Sequence, residues 1–240
     1  MYLTILGNNG PFPAPDGACS SYLLESDSAE TKLLIDAGTG SLARLMEIAR
    51  PETLTGVVLT HLHFDHMSDL LPMQYALQFS RRERPLPVFL PRQSERVRAL
   101  LECPYYDLFD HEDIVLGEMR LSFIPALHPV EGSCVAVECD GAKFVFTGDT
   151  NAQPALELFA DGCDLLLADA GLTRADWTEK KPHLSAALCG ALARDARAGA
   201  LLITHLNPLY DPQALLDEAR EAYPAAELAR LCLLYTSRCV

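Results

Sequence analysis

Gly56-Val57-Val58-Leu59-Thr60 runs directly into His61-Leu62-His63-Phe64-Asp65-His66. The first five residues are apolar and β-branched and begin at a glycine, as strands do. The next six hold three of the chain's seven histidines. A strand that ends in such a cluster sets its polar side chains in a strand-to-helix loop. Alternation puts His61 and His63 on one side. Asp65 and His66 turn toward a second point near the start of the following helix. One metal ion can take the first pair and a neighbouring ion the second. Imidazole and carboxylate donors suit Zn(II), with Mn(II) and Fe(II) as alternatives, in a hydrolytic site. Two ions about 3.5–4 Å apart can clamp a bridging hydroxide and stabilise a displaced oxygen.

Three more candidate ligands each close a strand-like run. His128 follows LSFIPA (121–126), Asp149 ends KFVFTGD (143–149) and His205 ends ALLITH (200–205). Strand ends that meet on one edge of a sandwich are a natural place for a site. His111, within Asp110-His111-Glu112-Asp113, reads instead as a surface imidazole.

The rest of the chain supports one α/β domain. Its 240 residues bury enough surface to hold a core without disulfides. Strand signals recur at 2–6, 21–26, 31–36, 86–90, 134–139 and 164–169. Helical patterns fall at 41–50, 66–80, 92–102, 153–160, 184–198 and 211–222. Asp140-Gly141 between two apolar runs is a hairpin signal, and Asp211-Pro212 is a helix start. Early strands pair in meanders and later ones alternate with helices, which predicts two sheets inside and helices outside. Nineteen basic against 33 acidic residues give a formal charge of −14. Such a chain repels nucleic acid and anionic membrane unless positive charge gathers at one site, as bound metal would provide. No apolar run reaches a membrane span and the first residues carry no basic export signal, so the expected location is the cytoplasm. Eight scattered cysteines without a C-x-x-C pair fit buried thiols in that compartment.

In order, Asp36 in IDAG, HLHFDH, His128, Asp149 in TGDT and His205 in ITH resemble the five motifs of the metallo-β-lactamase-fold hydrolases. The resemblance covers residues 1–231. It implies a four-layer αβ/βα sandwich with a dinuclear site at one edge. It further implies that His61, His63 and His128 hold the first metal, that Asp65, His66 and His205 hold the second, and that Asp149 bridges both. Asp36 would steady the ligand loop by hydrogen bonds without touching metal. The cofactor expected is two divalent ions, Zn(II) first.

Ala168-Asp169-Ala170, Lys181-Pro182-His183-Leu184-Ser185, Thr204-His205-Leu206-Asn207-Pro208 and the opening LGNNGPFPAPDGACSSYLL resemble the ribonuclease Z-like phosphodiesterase branch. In that branch an acidic residue pairs with a histidine that contacts the scissile phosphate and assists the leaving group. Here these would be Asp169 and His183. The branch more often carries Glu at the acidic position, so Asp169 is one methylene shorter. Asp65 would orient the nucleophile or accept its proton. No arm for gripping tRNA is visible between HLHFDH and His128, and RRERP (81–85) reads as a solvated helix end. The expected substrate is therefore a small or cyclic phosphodiester. A ribonuclease Z-like RNA endonuclease and a lactone or thioester hydrolase, with Tyr210 as an oxyanion donor, are the alternatives. A metal-binding scaffold without activity fits poorly, because all seven ligands are present. A redox di-iron enzyme fits poorly as well, because His63 stands where an acid would be. No membrane partner is expected, and a homodimer through a helix such as 66–80 is the analogy from related proteins. The last nine residues, CLLYTSRCV (232–240), resemble a translated adapter scar and are expected to be non-native; the alternative is a terminal strand.

Overall fold

In the computed structural model, residues 1–92, 95–232 and 234–236 are described. β1 (Tyr2–Gly7), β2 (Ser21–Glu25) and β3 (Lys32–Ile35) form an antiparallel meander. β4 (Gly56–Val58), β5 (Leu86–Leu90) and β6 (Tyr106–Asp110) then add in parallel. In the second sheet β7 (Ile114–Leu116), β8 (Met119–Pro125), β9 (Ser133–Cys139) and β10 (Ala142–Phe146) run antiparallel. β11 (Leu165–Asp169), β12 (Ala200–Thr204) and β13 (Glu227–Leu228) continue in parallel. β14 (Leu234–Thr236) pairs with β1 at the edge of the first sheet, so part of the terminal segment is strand. Residues 233 and 237–240 of that segment lie outside the described residues.

Alternation along the strands builds the layers. Tyr22, Leu24, Leu33 and Ile35 of the first sheet face Val135, Phe144, Phe146, Leu167 and Leu202 of the second. The intervening residues Leu23 and Leu34 pack outward with Leu45 of α1 (Ser41–Ile48) and Met73 and Leu77 of α3 (Leu70–Gln78). Val145, Leu166, Ala168, Leu201 and Ile203 point the other way. They meet α5 (Pro154–Ala160), α6 (Ala186–Asp195) and α7 (Pro212–Arg220). The result is helix, sheet, sheet, helix, as the sequence predicts. Central strands such as β3, β4, β11 and β12 are apolar on both faces because both are covered.

Several local readings hold. Asp140 and Gly141 have φ of 55° and 75°, the left-handed pair of a tight hairpin turn. The Asp211 carboxylate accepts the Gln213 N–H at 2.9 Å and caps α7. Seven described cysteines are unpaired thiols, five of them buried. Among the described residues no helix is long and apolar enough to cross a membrane.

Other readings need correction. The helix expected over 66–80 is two, α2 (Phe64–Met67) and α3. Asp69 separates them: its N–H donates to Ala37 O and its carboxylate accepts the Leu42 N–H, at 2.9 and 2.8 Å. The helix expected over 92–102 is only α4 (Glu95–Arg98) with one 3₁₀ turn, and residues 93 and 94 lie outside the description. Arg82 of RRERP is not a solvated helix end. Its guanidinium donates to Glu52 O and Leu54 O at 3.0 and 2.7 Å, tying that loop to the 3₁₀ turn ahead of β4.

Candidate metal centre

The site grows from the carboxyl ends of strands in both sheets. Asp36 follows β3, His61–His66 follow β4, and His128 follows β8. Asp149 follows β10, Asp169 ends β11 and His205 follows β12. Asp36 and His205 both have left-handed φ, 58° and 55°, directly after their strands. This conformation is uncommon for residues with a Cβ and turns each chain sharply at the sheet edge.

Asp36 is fully buried and acts as an anchor. Thr60 donates to it twice, from its N–H at 2.7 Å to Oδ1 and from its hydroxyl at 2.9 Å to Oδ2. His66 Nδ1–H donates to Asp36 Oδ2 at 2.8 Å. That bond fixes the tautomer and leaves His66 Nε2 facing Asp149 Oδ2 at 3.3 Å.

Asp149 Oδ2 is the hub. It lies 3.3 Å from His205 Nε2 and 3.7 Å from His61 Nε2 as well. Two ligand groups share it: His61, His63, His128 and Asp149 in one, and Asp65, His66, Asp149 and His205 in the other. Within each group the candidate donor atoms lie within 4.8 Å of one another. Together the two groups comprise the seven candidate ligands singled out in the sequence. A third grouping, Asp149, Asp169, His183 and His205, overlaps the second, but there His183 and Asp169 are already bound to each other.

The donor chemistry fits a metal. His66 Nε2, His128 Nδ1, Asp149 Oδ1 and His205 Nδ1 are buried without a hydrogen-bond partner. Orphaned polar atoms are costly in an interior, and four in one place mark a site built for something else to bind. Burial pushes the imidazoles of His61, His63 and His128 below the ordinary histidine range, which keeps them neutral and able to ligate. Burial opposes charge on His66 and His205 too, but Asp149 with Asp36 lifts His66, and Asp149, Asp169 and Asp65 lift His205. Burial also works against the Asp149 carboxylate, yet His205, His66 and His61 hold it well below the usual range.

Asp169 and His183 meet despite the short side chain. His183 Nδ1–H donates to Asp169 Oδ2 at 2.9 Å, and Asp169 Oδ1 accepts the Gly171 N–H at 2.8 Å. Burial alone would lower His183, but the Asp169 carboxylate raises it. His63, His128 and His183 are the least buried of the site histidines and open it to solvent.

Sequence reading missed several supports. Thr60 is one, adjacent to the motif but with no chemical signal of its own. Gly10 is another: a Cβ there would lie 1.9 Å from His205 Nε2, so only glycine lets that ring close. The expectation for His111 is wrong. Its Nε2–H donates to Leu59 O at 3.0 Å, and its Nδ1 accepts the Ser133 hydroxyl at 2.9 Å. The ring stacks on Phe123. It therefore clamps the strand that feeds His61 to the second sheet, which its acidic neighbours in sequence do not disclose. Tyr210, weighed as an oxyanion donor, packs partly against the core and bonds Asp176.

The fold agrees with comparisons to known proteins. A family model described as the Metallo-beta-lactamase superfamily matches residues 14–192. The chain is 28% identical over 231 residues to "Probable metallo-hydrolase YhfI" of Bacillus subtilis, covering 93% of this chain and 94% of that one. The crystal structure of YhfI superposes with a TM-score of 0.92 at 26% identity, covering 98% of each chain. A ribonuclease Z of Mycobacterium bovis is 28% identical over 250 residues, covering 88% of each. This chain belongs to the metallo-β-lactamase superfamily and is similar to YhfI along nearly its whole length.

Proposed function

We propose that this protein is a metal-dependent phosphodiesterase acting on a small or cyclic phosphodiester. The observation that carries this reading is the Asp169–His183 pair, 2.9 Å apart beside two ligand groups that share Asp149. Bound divalent ions, with Zn(II) proposed first, would neutralise phosphate oxygens and lower the pKa of water to about 7. His61, His63, His128 and Asp149 would hold one, and Asp65, His66, His205 and Asp149 the other.

The protein's own groups then have distinct tasks. Burial opposes the charge on Asp65, but the His205 hydrogen bond and the neighbouring His66 outweigh it and keep the carboxylate ionised. An ionised Asp65 can orient an attacking water and accept its proton. Asp169 takes Nδ1–H of His183, so Nε2 is the nitrogen left to donate a proton to the departing oxygen. A diester places negative charge where an imidazolium meets it.

The Mycobacterium bovis relative is by name a ribonuclease, which acts on phosphodiesters, and this supports the choice of bond. The formal charge of −14 favours a small substrate over a polyanion. The lactonase alternative has less support, since the Tyr210 hydroxyl is engaged by Asp176. The test is turnover by Zn(II)- or Mn(II)-loaded protein of bis(p-nitrophenyl) phosphate, with a lactone and a thioester in parallel. Release of p-nitrophenolate is expected. Hydrolysis of the lactone or thioester with the diester untouched would overturn the reading.

A further inference from the structure

Phe64 stands between two candidate ligands, His63 and Asp65, yet it is 63% exposed. Three other exposed large apolar residues stand within a few positions of residues at the site. Leu127 is 51% exposed and precedes His128. Its N–H donates to Thr150 Oγ1 at 2.9 Å and its carbonyl accepts the Asn151 N–H at 3.0 Å, so it sits against the loop that carries Asp149. Leu209 is 79% exposed, four residues past His205. Phe12 is 43% exposed, two residues past Gly10, whose α-carbon abuts the His205 ring. Four loops that carry or press on the ligands therefore each present bare apolar surface. Scattered exposed apolar residues are ordinary, but four on the loops that carry or press on one polar centre point to a binding surface.

We propose that Phe12, Phe64, Leu127 and Leu209 form an apolar rim that takes the organic group of the diester, a flat aromatic ring such as a base, with Phe64 as its stacking face. This rests on the phosphodiester reading above. The occupant follows from connectivity. A phosphodiester carries two ester groups, and a phosphorus beside Asp65, Asp149 and His183 holds both within reach of residues next to those side chains. A neutral ring avoids the repulsion that a chain of −14 exerts on further anionic groups. Stacking on an aromatic face tolerates any flat ring, so the rim selects for aromaticity and not for one base.

Two substrates with one leaving group isolate the rim. Hydrolysis of bis(p-nitrophenyl) phosphate and of methyl p-nitrophenyl phosphate adds water's oxygen to phosphorus and breaks one P–O(aryl) bond. Both expel p-nitrophenolate; only the retained group differs, aryl or methyl. Phe64→Ala is expected to lower the aryl-to-methyl ratio of kcat/KM by about tenfold, mainly through KM, and Phe64→Tyr to restore it. An unchanged ratio in a folded Phe64→Ala protein overturns the rim. Calorimetric binding of p-nitrophenyl phosphate against methyl phosphate separates the two failures. The rim predicts tighter aryl binding in the parent and its loss in Phe64→Ala, whether or not diesters are cleaved. Equal binding of the two monoesters by the parent contradicts it.

Discussion

The His183 imidazole hangs from Asp169, 2.9 Å from Nδ1 to Oδ2, and Asp169 is itself fully buried. The carboxylate is pinned by the Gly171 N–H and lies 3.4 Å from His205 Nδ1, so one acid steadies both a candidate proton donor and a candidate ligand. Asp169→Asn keeps the volume and removes the charge. We expect kcat on a diester to fall roughly 10- to 100-fold with KM changed less. Steady-state kinetics at matched metal content checks this, and an unchanged kcat would contradict it.

Gly10 matters for what it lacks. A methyl group at its α-carbon would lie 1.9 Å from His205 Nε2, so the ring or the loop must move. Gly10→Ala should therefore weaken the group formed by Asp65, His66, Asp149 and His205 while sparing the other. Elemental analysis of purified protein is expected to fall from about two metal equivalents toward about one. Two retained equivalents would show that the loop yields without cost.

Removing metal should expose the strain left in the centre. Four buried polar atoms there make no hydrogen bond. Tight binding at two shared sites stabilises the native state by mass action. Chelation is expected to lower Tm by roughly 10 °C, and added Zn(II) to restore it. Thermal unfolding with and without chelator reads this directly; equal midpoints would argue against a resident metal.

His111 provides a pH signature apart from the metal ligands. Burial pushes it from the ordinary 6.5 down to about 4, so the folded protein keeps it neutral. As pH falls below 6.5, the unfolded chain takes up a proton that the folded chain refuses. The stability it contributes is therefore complete above about pH 6.5 and is lost as pH falls toward 4. His111→Phe keeps the ring stack and drops both hydrogen bonds. It should cost roughly 2 kcal/mol at pH 7.5, and the gap should close by about pH 4.5. Urea unfolding of parent and variant across that range decides it. A gap that is constant or widens on acidification would show that His111 is not held neutral.

Much of the centre was legible because its ligands are unusual residues at strand ends. HLHFDH carries three histidines in six residues, and Asp149 and His205 each terminate an apolar run. The layers were legible because strands such as Leu33–Ile35 and Phe144–Phe146 are apolar on both faces. What escaped depends on tertiary contact. Asp69 breaks a helix only because Ala37 and Leu42 lie beside it. β6 reads poorly as YDLFD because an edge strand leaves half its side chains in water. Gly10 and His111 act through residues 195 and 52 positions away, on His205 and on Leu59, and no local pattern encodes such distances.

The most direct measurement is kcat/KM on bis(p-nitrophenyl) phosphate for the metal-loaded parent and His183→Ala, side by side. Turnover by the parent is expected, with a loss of about 100-fold or more in the variant and equal metal content in both. A parent that binds two metals yet leaves the diester intact, or a variant as active as the parent, would contradict it.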